Sequence, residues 1–298
     1  MDLRDLNYFM VIAQLGHLGQ AAAQLNRSQP ALSKSLQRLE DGLGARLFLR
    51  EGRGIKLTEV GELLLQRGRQ LQMTVAETER EVRDLAQGLV GNIRIGCAAS
   101  MADYLLPQLT AALLERAPKL TLTLSIAQDD VLTEALQLGR LDAIISPKIA
   151  ERSLFTFYPV LQDHAVVVAS AEHPLFCAPL SLEVLTTYRW VLPARKVAAR
   201  QWLDSVFLSH GLPPPIVQIE TNAVSLLPRL IDRTQLLSFI ARKTLERGQG
   251  MCRLQEVQLE ETTRCRRVAV AVRAGSYLSP AARTMIELLE QLVLSFPD

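Results

Sequence analysis

The sequence predicts an α+β protein: a small helical segment, then one long helix, then an α/β segment. Apolar residues recur at helical spacing between Leu3 and Leu43, and the stretch 58–87 contains no proline. From residue 91 onward, short β-rich runs alternate with helical runs. A chain of 298 residues is long enough for two or three domains of ordinary size. We therefore predict segments at 1–57, 58–90 and 91–298.

Composition and charge limit the function classes. Hydrophobic residues make up 48% and charged residues 21%, as in globular proteins. The net charge is only +2, so any contact with nucleic acid must come from a local basic patch. The opening residues do not read as a signal peptide, and no window is apolar enough for a membrane span, so we expect a cytoplasmic protein. The four cysteines lack C-x-x-C spacing, so we expect reduced thiols and no metal or other cofactor.

Three short helices are predicted at the N-terminus. Residues Leu3, Leu6, Phe9, Met10 and Ala13 form the apolar side of the first, which ends at Gly16. A second helix covers 18–25, and Asn26-Arg27 form a tight turn. Ser28 is then the expected N-cap of a third helix, which has Pro30 in its first turn, an apolar stripe, and its end at Gly44. The stripe consists of Leu32, Leu36, Leu39 and Leu43.

The other face of the third helix carries side chains suited to contact with the major groove of DNA. Glutamine can read adenine in the major groove, and lysine and arginine bind phosphate or guanine. The residues on this face are Gln29, Ser33, Lys34, Gln37 and Arg38.

A basic β-hairpin is predicted after this helix. Its strands are 47–50 and 55–57, and its turn is Glu51-Gly52-Arg53-Gly54. Between Arg27 and Lys56 there are seven basic and three acidic residues, a local excess twice the net charge of the whole chain. Such a patch is typical of a DNA-contacting surface. The alternative is that these helices belong to an ordinary bundle and that the basic face is only solvated.

The segment 58–87 is predicted as one helix with Thr58 as its N-cap. About thirty residues of helix span about 45 Å, too long to bury an apolar seam on the small N-terminal segment. The alternatives are packing on the chain's own C-terminal segment or pairing with a second copy, and we favour the dimer. The helix should end at Gly88–Gly91. The seam residues are Leu64, Arg67, Leu71, Val75, Thr78, Val82 and Leu85.

The C-terminal segment begins with predicted strands at 93–97, 120–126 and 141–145, with helices at 102–116 and 132–138 between them. We expect 98–101 to be a loop and Pro107 to interrupt the helix that follows. Ligands of open α/β sheets bind beyond the carboxyl ends of the strands. This rule selects as candidate effector-binding residues Ser100, Met101, Asp129, Ser146, Pro147 and Lys148.

The rest of the chain continues the α/β pattern. Further strands are predicted at 166–168, 190–192, 216–220, 236–240 and 267–273, with a helix at 198–209 and a last helix from Ser279 to about residue 295. Thr221-Asn222 should cap a helix. The candidate effector-binding residues in this part are Ala194, Arg195, Thr221 and Asn222.

Several motifs together resemble the DNA-binding domain of LysR-type transcriptional regulators, over about sixty residues without a gap. They are Ala21-Ala22-Ala23-Gln24-Leu25, Ser28-Gln29-Pro30-Ala31-Leu32-Ser33, Leu39-Glu40 with Leu43-Gly44, Leu47-Phe48 with Arg50, and Leu57-Thr58-Glu59 with Gly61. The resemblance implies a winged helix-turn-helix bound to double-stranded operator DNA.

The resemblance also assigns roles within this domain. It implies that Gln29, Pro30, Ser33 and Lys34 meet bases and backbone in the major groove, and that the wing residues Arg50 and Arg53 approach the flanking minor groove. The predicted DNA-binding set also includes, from their side chains and positions in the sequence, Arg27, Ser28, Gln37 and Arg38. His17 departs from the family, which usually has serine there, and we expect a weaker helix cap.

For the C-terminal segment the resemblance implies a two-lobed, periplasmic-binding-protein-like effector domain. The chain should cross between lobes near 161–163 and 265–267, with lobe I at about 91–162 and 266–298 and lobe II at about 163–265. Ser100 lies where the family commonly places a hydroxyl that meets the effector. A small organic anion, such as a carboxylate or sulfonate, is the expected ligand between the lobes. The family also implies homodimers or homotetramers and contact with RNA polymerase.

Two alternatives remain open at this stage. One is a thiol redox sensor on the same scaffold that uses Cys252 and Cys265, with Arg264 and Arg266 beside the second thiol. The other is an enzyme or a small-molecule-binding protein without DNA. The sequence contains no G-x-S-x-G, P-loop or G-x-G-x-x-G motif, and His164, His173 and His210 are scattered along the chain, so we expect no enzyme.

Overall fold

A computed structural model of the chain describes residues 2–51, 54–87, 92–147, 153–247 and 252–294. It forms two compact units, residues 1–82 and 83–298, so the border between them falls within the predicted long helix. Among the described helices, none is long and apolar enough to cross a membrane.

The first unit contains three helices, a hairpin and most of a long helix, as predicted. Their bounds are α1 Leu3–Leu15, α2 Leu18–Gln24, α3 Gln29–Leu43, β1 Phe48–Glu51, β2 Gly54–Leu57 and α4 Glu59–Gln87. The predicted end of α4 at Gly88–Gly91 lies outside the described residues.

Local capping explains where these helices begin. Ser28 Oγ accepts a hydrogen bond from the Ala31 backbone N–H at 3.4 Å, and Thr58 Oγ1 accepts one from Gly61 at 3.0 Å. His17 also caps α2, since its Nδ1 accepts from the Gly19 and Gln20 backbone N–H groups at 3.1 and 3.4 Å. The imidazole therefore makes the contacts that a serine cap would make.

Close packing joins α4 to the rest of this unit. A Cβ placed on Gly61 would lie 2.2 Å from the Leu47 carbonyl oxygen, so only glycine allows the first turn of α4 to approach β1 this closely. About two turns further along α4, a Cβ on Gly68 would lie 3.0 Å from the Met10 Sδ. The N-terminal part of α4 is thus part of the first unit.

The second unit alternates strands and helices. Its first half comprises β3 Asn92–Ala98, α5 Ala99–Arg116, β4 Thr121–Ala127, α6 Asp129–Gln137, β5 Ala143–Pro147 and β6 Phe155–Ser170. Its second half comprises α7 Leu182–Leu185, β7 Arg189–Leu192, α8 Ala198–Ser209, β8 Ile216–Glu220, α9 Leu227–Asp232, β9 Ser238–Ala241, α10 Arg242–Arg247, β10 Leu254–Glu256, β11 Arg264–Arg273 and α11 Pro280–Leu294.

Two long antiparallel strands, β6 and β11, connect two lobes. They lie side by side in a sheet of order β10-β6-β11-β5-β3-β4, with β9 also paired to β6. In one lobe β11 pairs with β5, whereas in the other β6 pairs with β9 and β10. Arg266 is paired in register with Asp163 midway along, where the sequence predicts the crossings. β7 and β8 pair in parallel and form a separate two-stranded sheet in lobe II.

Each lobe packs helices on both faces of its strands. In lobe I, α5 and α11 cover one face through residues such as Leu105 and Leu289, and α6 covers the other through Leu136. In lobe II, α8 packs Phe207 against Trp190, whose rings meet edge to face at 6.1 Å. The opposite face is covered by α9.

Several expected boundaries are wrong. Residues 99–101 are the first turn of α5, not a loop, and α5 continues through Pro107, because its buried leucines hold the helix against the sheet. β6 covers 155–170 rather than 166–168, since pairing with β11 extends it across both lobes. Thr221 Oγ1 accepts from the Ala223 N–H, and a 3₁₀ turn separates it from α9, so Thr221-Asn222 do not cap that helix directly.

Candidate nucleic-acid interface and effector cleft

The predicted DNA-reading face of α3 is exposed. Gln29, Ser33 and Gln37 follow one another at a spacing of four residues, which places them on one side of the helix. Leu32 and Leu39 lie in the core on the other side. The exposed members of the predicted set are Arg27, Ser28, Gln29, Pro30, Ser33, Lys34, Gln37 and Arg38.

A nearly buried carboxylate fixes α3 on α1. Asp5 accepts hydrogen bonds from Ser35 Oγ and, at 2.9 Å, from Arg38 Nη2. Burial disfavours the charge of Asp5, but the hydrogen bonds from Arg38 and Ser35 outweigh it and lower its pKa. Arg38 is still 53% exposed. It therefore both orients α3 and keeps guanidinium donors available on the surface of the helix.

The hairpin is attached to α3 by a second buried carboxylate. Glu40 accepts a hydrogen bond from the Leu47 backbone N–H at 2.7 Å and from Arg46 Nη1 at 2.8 Å. The Ile55 N–H donates to the Gly16 carbonyl at 3.1 Å, which ties β2 to the turn before α2. The hairpin base is thus fixed relative to α3.

Two predicted wing contacts remain predictions. Arg53 lies outside the described residues. Arg50 is in β1, where it pairs in register with Ile55, and its side chain is not among those described.

In the second unit, the selected residues do gather at one sheet edge. β4 and β5 both run parallel to β3, so their carboxyl ends lie together. Ser100 and Asp129 lie in the first turns of α5 and α6 at this edge. Ser146 is buried and donates to the carbonyl of Pro147 at 3.3 Å. Lys148 lies outside the described residues.

Other selected residues differ from the expectation. Met101 is fully buried in the apolar core of lobe I, because it lies on the side of α5 that faces the sheet. In lobe II, Ala194 is half-buried, whereas Arg195 and Asn222 are exposed and Thr221 is half-buried. Lys196 reaches Asp130 on α6 at 3.7 Å, so the loop after β7 faces lobe I across the cleft.

A buried polar cluster lies at the crossing between lobes. Asp163 is fully buried and accepts hydrogen bonds from the Tyr104 hydroxyl at 3.0 Å and from Arg266 Nη2. Arg266 Nη1 donates to Ser100 Oγ at 3.1 Å. The cluster therefore joins α5 of lobe I to both crossing strands. We did not predict Tyr104, Asp163 or Arg266 as site residues, although the predicted crossings contain the last two.

Arg264 extends the positive charge along β11. It lies two residues from Arg266, on the same side of the strand. Its guanidinium donates to the Ala198 carbonyl at 3.3 Å and lies 5.4 Å from the ring centroid of Trp202. Burial lowers the pKa of Arg264, and the neighbouring charge of Arg266 adds to this effect. A bound anion would relieve this repulsion.

Asp129 is the carboxylate that faces these arginines. Burial raises its pKa to about 6, with Arg266 acting in the opposite direction. Three buried polar atoms here have no hydrogen-bond partner among the described residues: Asp129 Oδ1, Asp163 Oδ1 and Arg266 Nε. Because buried polar groups are normally paired, this arrangement can accommodate a ligand with both donors and acceptors.

The surroundings of Cys97 and His173 indicate structural roles for these residues. The four cysteines are free thiols, and burial raises the pKa of Cys97 to about 12, which keeps it unreactive. His173 Nδ1 accepts from the Leu175 N–H and Nε2 contacts the Gln235 carbonyl, so it caps a turn. No group of acidic, histidine and cysteine side chains among the described residues could hold a metal ion.

Comparison with known proteins decides the family. The family described as "LysR substrate binding domain" matches residues 86–293, and "Bacterial regulatory helix-turn-helix protein, lysR family" matches residues 3–62. The chain belongs to the LysR family. It is a DNA-binding transcriptional regulator with an effector-binding domain, and the predicted winged helix-turn-helix and two-lobed α/β fold are confirmed.

Relatives of this regulator cover nearly its full length. The HTH-type transcriptional regulator GbpR of Rhizobium radiobacter is 28% identical over 90% of this chain and 89% of that protein. A full-length OxyR variant from Pseudomonas aeruginosa superposes with a TM-score of 0.66 at 25% identity, covering 98% of this chain and 94% of the other. Full-length CbnR bound to its target DNA gives a TM-score of 0.68 at 21% identity, covering 98% and 99%.

The raised pKa of Asp129 has a measurable consequence for stability. The folded protein favours the protonated acid, so ionisation of Asp129 lowers stability as the pH rises towards about 6, and this loss is complete above it. Between pH 5 and pH 7.5, the second unit of the wild type should lose about 1 kcal/mol more stability than that of Asp129→Asn. Calorimetric unfolding of the full chain at both pH values measures this difference.

A more distant acid on α6 provides the control, because Glu134→Gln removes an exposed carboxylate that lies outside the buried cluster. This variant should follow the wild type at both pH values. If Asp129→Asn loses as much stability as the wild type between the two pH values, ionisation of Asp129 does not destabilise the fold and the prediction is wrong.

Proposed function

We propose that this regulator binds operator DNA as a homodimer through α3 and the wing, and responds to a small organic anion between its lobes. The observation that carries the DNA half is the exposed face of α3, held on α1 and the hairpin by Asp5 and Glu40. The observation that carries the effector half is the pair of arginines on β11 beside unpaired buried polar atoms.

In the DNA complex, Gln29, Ser33, Lys34 and Gln37 contact bases and backbone in the major groove, with Pro30 at the start of the helix. Arg27, Ser28 and Arg38 contact phosphates at the ends of this face, and the wing arginines Arg50 and Arg53 approach the minor groove. A rigidly mounted helix serves this purpose because bidentate side-chain contacts require a fixed orientation.

Two substitutions distinguish contacts to DNA bases from contacts to DNA phosphates. Gln29→Ala should weaken operator binding by about 1–3 kcal/mol and relax sequence preference, whereas Lys34→Ala should weaken all sequences and reduce the salt slope by about 1. Titrations with the intergenic DNA upstream of the gene, against a scrambled duplex and at several salt concentrations, measure both. The exposed Lys119→Ala in the second unit is the control. Equal behaviour of Lys34→Ala and Lys119→Ala would contradict the assigned interface.

The homodimer is supported by an apolar seam on α4. Leu71, Val75 and Val82 are 41%, 42% and 63% exposed. Val75 follows Leu71 by four residues and Val82 follows Val75 by seven, so the three side chains form a stripe that a second copy of the helix can cover. Exposed apolar residues also lie on the edge strand β4, at Leu124 and Ile126. A dimer would also present two copies of α3 to two operator half-sites.

Neighbouring substitutions on α4 test the dimer. Val75→Glu should shift the chain towards monomers, because it places a charge in the seam. Ala76→Glu adds the same charge one residue along, where the side chain points about 100° away, and should leave the assembly unchanged. Analytical ultracentrifugation distinguishes these states. Equal sedimentation of the two variants would contradict pairing through this seam.

The effector is a small organic anion whose acid group lies near Arg264 and Arg266, with Ser100 and Ser146 at the strand ends. Asp129, Pro147 and Lys148, together with Ala194, Arg195, Thr221 and Asn222 from lobe II, surround the rest of the ligand. Binding then favours one angle between the lobes, which changes DNA bending and contact with RNA polymerase. A ligand does this only if it binds the two arrangements with different affinity. Such a regulator acts in the cytoplasm.

Charge selectivity tests the effector class. The screen compares aromatic carboxylates, sugar acids and sulfonates with their uncharged amides or alcohols. We expect some of the acids to bind in calorimetric titrations and to change the bend angle of operator DNA. Arg264→Gln should weaken such a ligand about 10- to 100-fold, because a hydrogen bond to a charged group is lost. The exposed Arg189→Gln is the matched control. Preferential binding of the uncharged partners would contradict the proposal.

A further inference from the structure

A second cavity lies between the lobes, formed by residues other than those assigned to the effector. Its volume is about 500 Å³, within the range of about 300–1,000 Å³ typical of small-molecule sites. Lobe I contributes α5, and lobe II contributes α9, α10 and β10 with the 3₁₀ turn before α9. Among the described residues that line it, only Tyr104 also belongs to the buried cluster.

The cavity has apolar walls and two opposite charges. Leu226, Leu245 and Leu254 line it, and Leu226 is 45% exposed although it is a large apolar side chain. Asp103 on α5 provides a carboxylate, and Arg229 on α9 provides a guanidinium. Among the described residues, no ion pair joins Asp103 and Arg229 to each other or to another side chain.

These charges discriminate between ligand classes. A simple acid would meet Arg229 but would be repelled by Asp103, and a simple amine would have the reverse problem. Asp103 and Arg229 are both exposed at this cavity, and a neutral apolar molecule would cover the leucines but leave the two charges without a partner. A molecule that carries both an ammonium and a carboxylate satisfies both, and its apolar part covers the leucines.

We propose that this cavity binds an apolar α-amino acid as its zwitterion, with the ammonium group at Asp103 and the carboxylate at Arg229. The hydroxyls of Ser225 and Thr244, which also line the cavity, provide further hydrogen bonds. This is a ligand site in addition to the effector cleft.

Ligand binding in this cavity would affect the angle between the lobes. The ligand connects Asp103 of lobe I to Arg229 of lobe II, so it stabilises arrangements that keep α5 close to α9. On the same helix, Ser100 and Tyr104 contact Arg266 and Asp163 at the crossing between lobes. An amino acid here therefore couples to the effector cleft through α5.

A native cysteine reports on this cavity directly. Cys252 lines it and is half-buried, whereas Cys177 is exposed elsewhere in lobe II. The rate of iodoacetamide alkylation at each thiol of the full-length protein can be followed by mass spectrometry, with no DNA present. The probes are L-leucine, leucinamide, which lacks the carboxylate, and 4-methylpentanoate, which lacks the ammonium. Calorimetric titration of each probe gives its Kd.

L-Leucine at ten times its Kd should slow alkylation of Cys252 about tenfold and leave Cys177 unchanged. Leucinamide and 4-methylpentanoate should each bind at least about tenfold more weakly. In Arg229→Gln, L-leucine and leucinamide should become equal, and in Asp103→Asn, L-leucine and 4-methylpentanoate should become equal. The exposed Arg140→Gln should behave like the wild type.

The proposal is overturned if millimolar L-leucine neither protects Cys252 nor gives heat. It is equally overturned if 4-methylpentanoate protects as well as L-leucine does, or if Arg229→Gln leaves the preference unchanged. Binding of L-leucine at the effector cleft would leave Cys252 unprotected and so also counts against it. None of these outcomes depends on operator binding, so they are separate from a failure of the proposed regulator function.

Discussion

The ion pair between Asp163 and Arg266 lies where both crossing strands pass between the lobes, and the ligand-binding half of the molecule is arranged around it. The two residues are register partners on β6 and β11, and both are nearly inaccessible to solvent. A buried pair of this kind is strongly destabilised when one partner is removed, by about 3–5 kcal/mol, because the other charge is left uncompensated. The pair therefore stabilises the register of β6 and β11 in which the two lobes come together.

The same pair determines what the cleft can bind. Asp163 neutralises only part of the positive charge on β11, since Arg264 lies two residues away on the same side of the strand. Arg266 also contacts Ser100 on α5, so a ligand that takes over one of these contacts acts on the lobe crossing itself. In the proposed mechanism, recognition of an anion and a change of lobe angle are therefore consequences of one set of hydrogen bonds.

The DNA-binding unit uses buried carboxylates in a comparable way. Asp5 and Glu40 each accept hydrogen bonds from a more exposed arginine and from a buried group, which is Ser35 Oγ for Asp5 and the Leu47 N–H for Glu40. They fix the orientation of α3 relative to α1 and to the hairpin. Because the opposite face of α3 stays polar and exposed, the residues proposed to contact bases are separate from those that hold the helix in place, whereas Arg38 is assigned to both groups.

The sequence by itself determined the elements whose signals are local. Helix caps at Ser28 and Thr58 follow from residue type and position, and both are present in the structure. The apolar stripe of α3 is buried at Leu32 and Leu39, whereas Leu43 at its end is 43% exposed. Of the predicted seam on α4, Leu71, Val75 and Val82 are exposed, whereas Leu64 packs in the core of the first unit. The LysR-type motifs also predicted the family and the lobe crossings. The selection of Ser100 and Asp129 rested on a general rule about parallel strands, which does not depend on particular tertiary contacts.

Only the tertiary structure decided which side chains meet across long separations. Arg266 and Ser100 are 166 positions apart, and Tyr104 and Asp163 are 59 apart, so no periodicity relates them. The same limit explains why Met101 was assigned to the cleft although it packs in the core, and why β6 was predicted too short. Sequence patterns report the face and period of one element, whereas partners, register and burial depend on how separate elements pack.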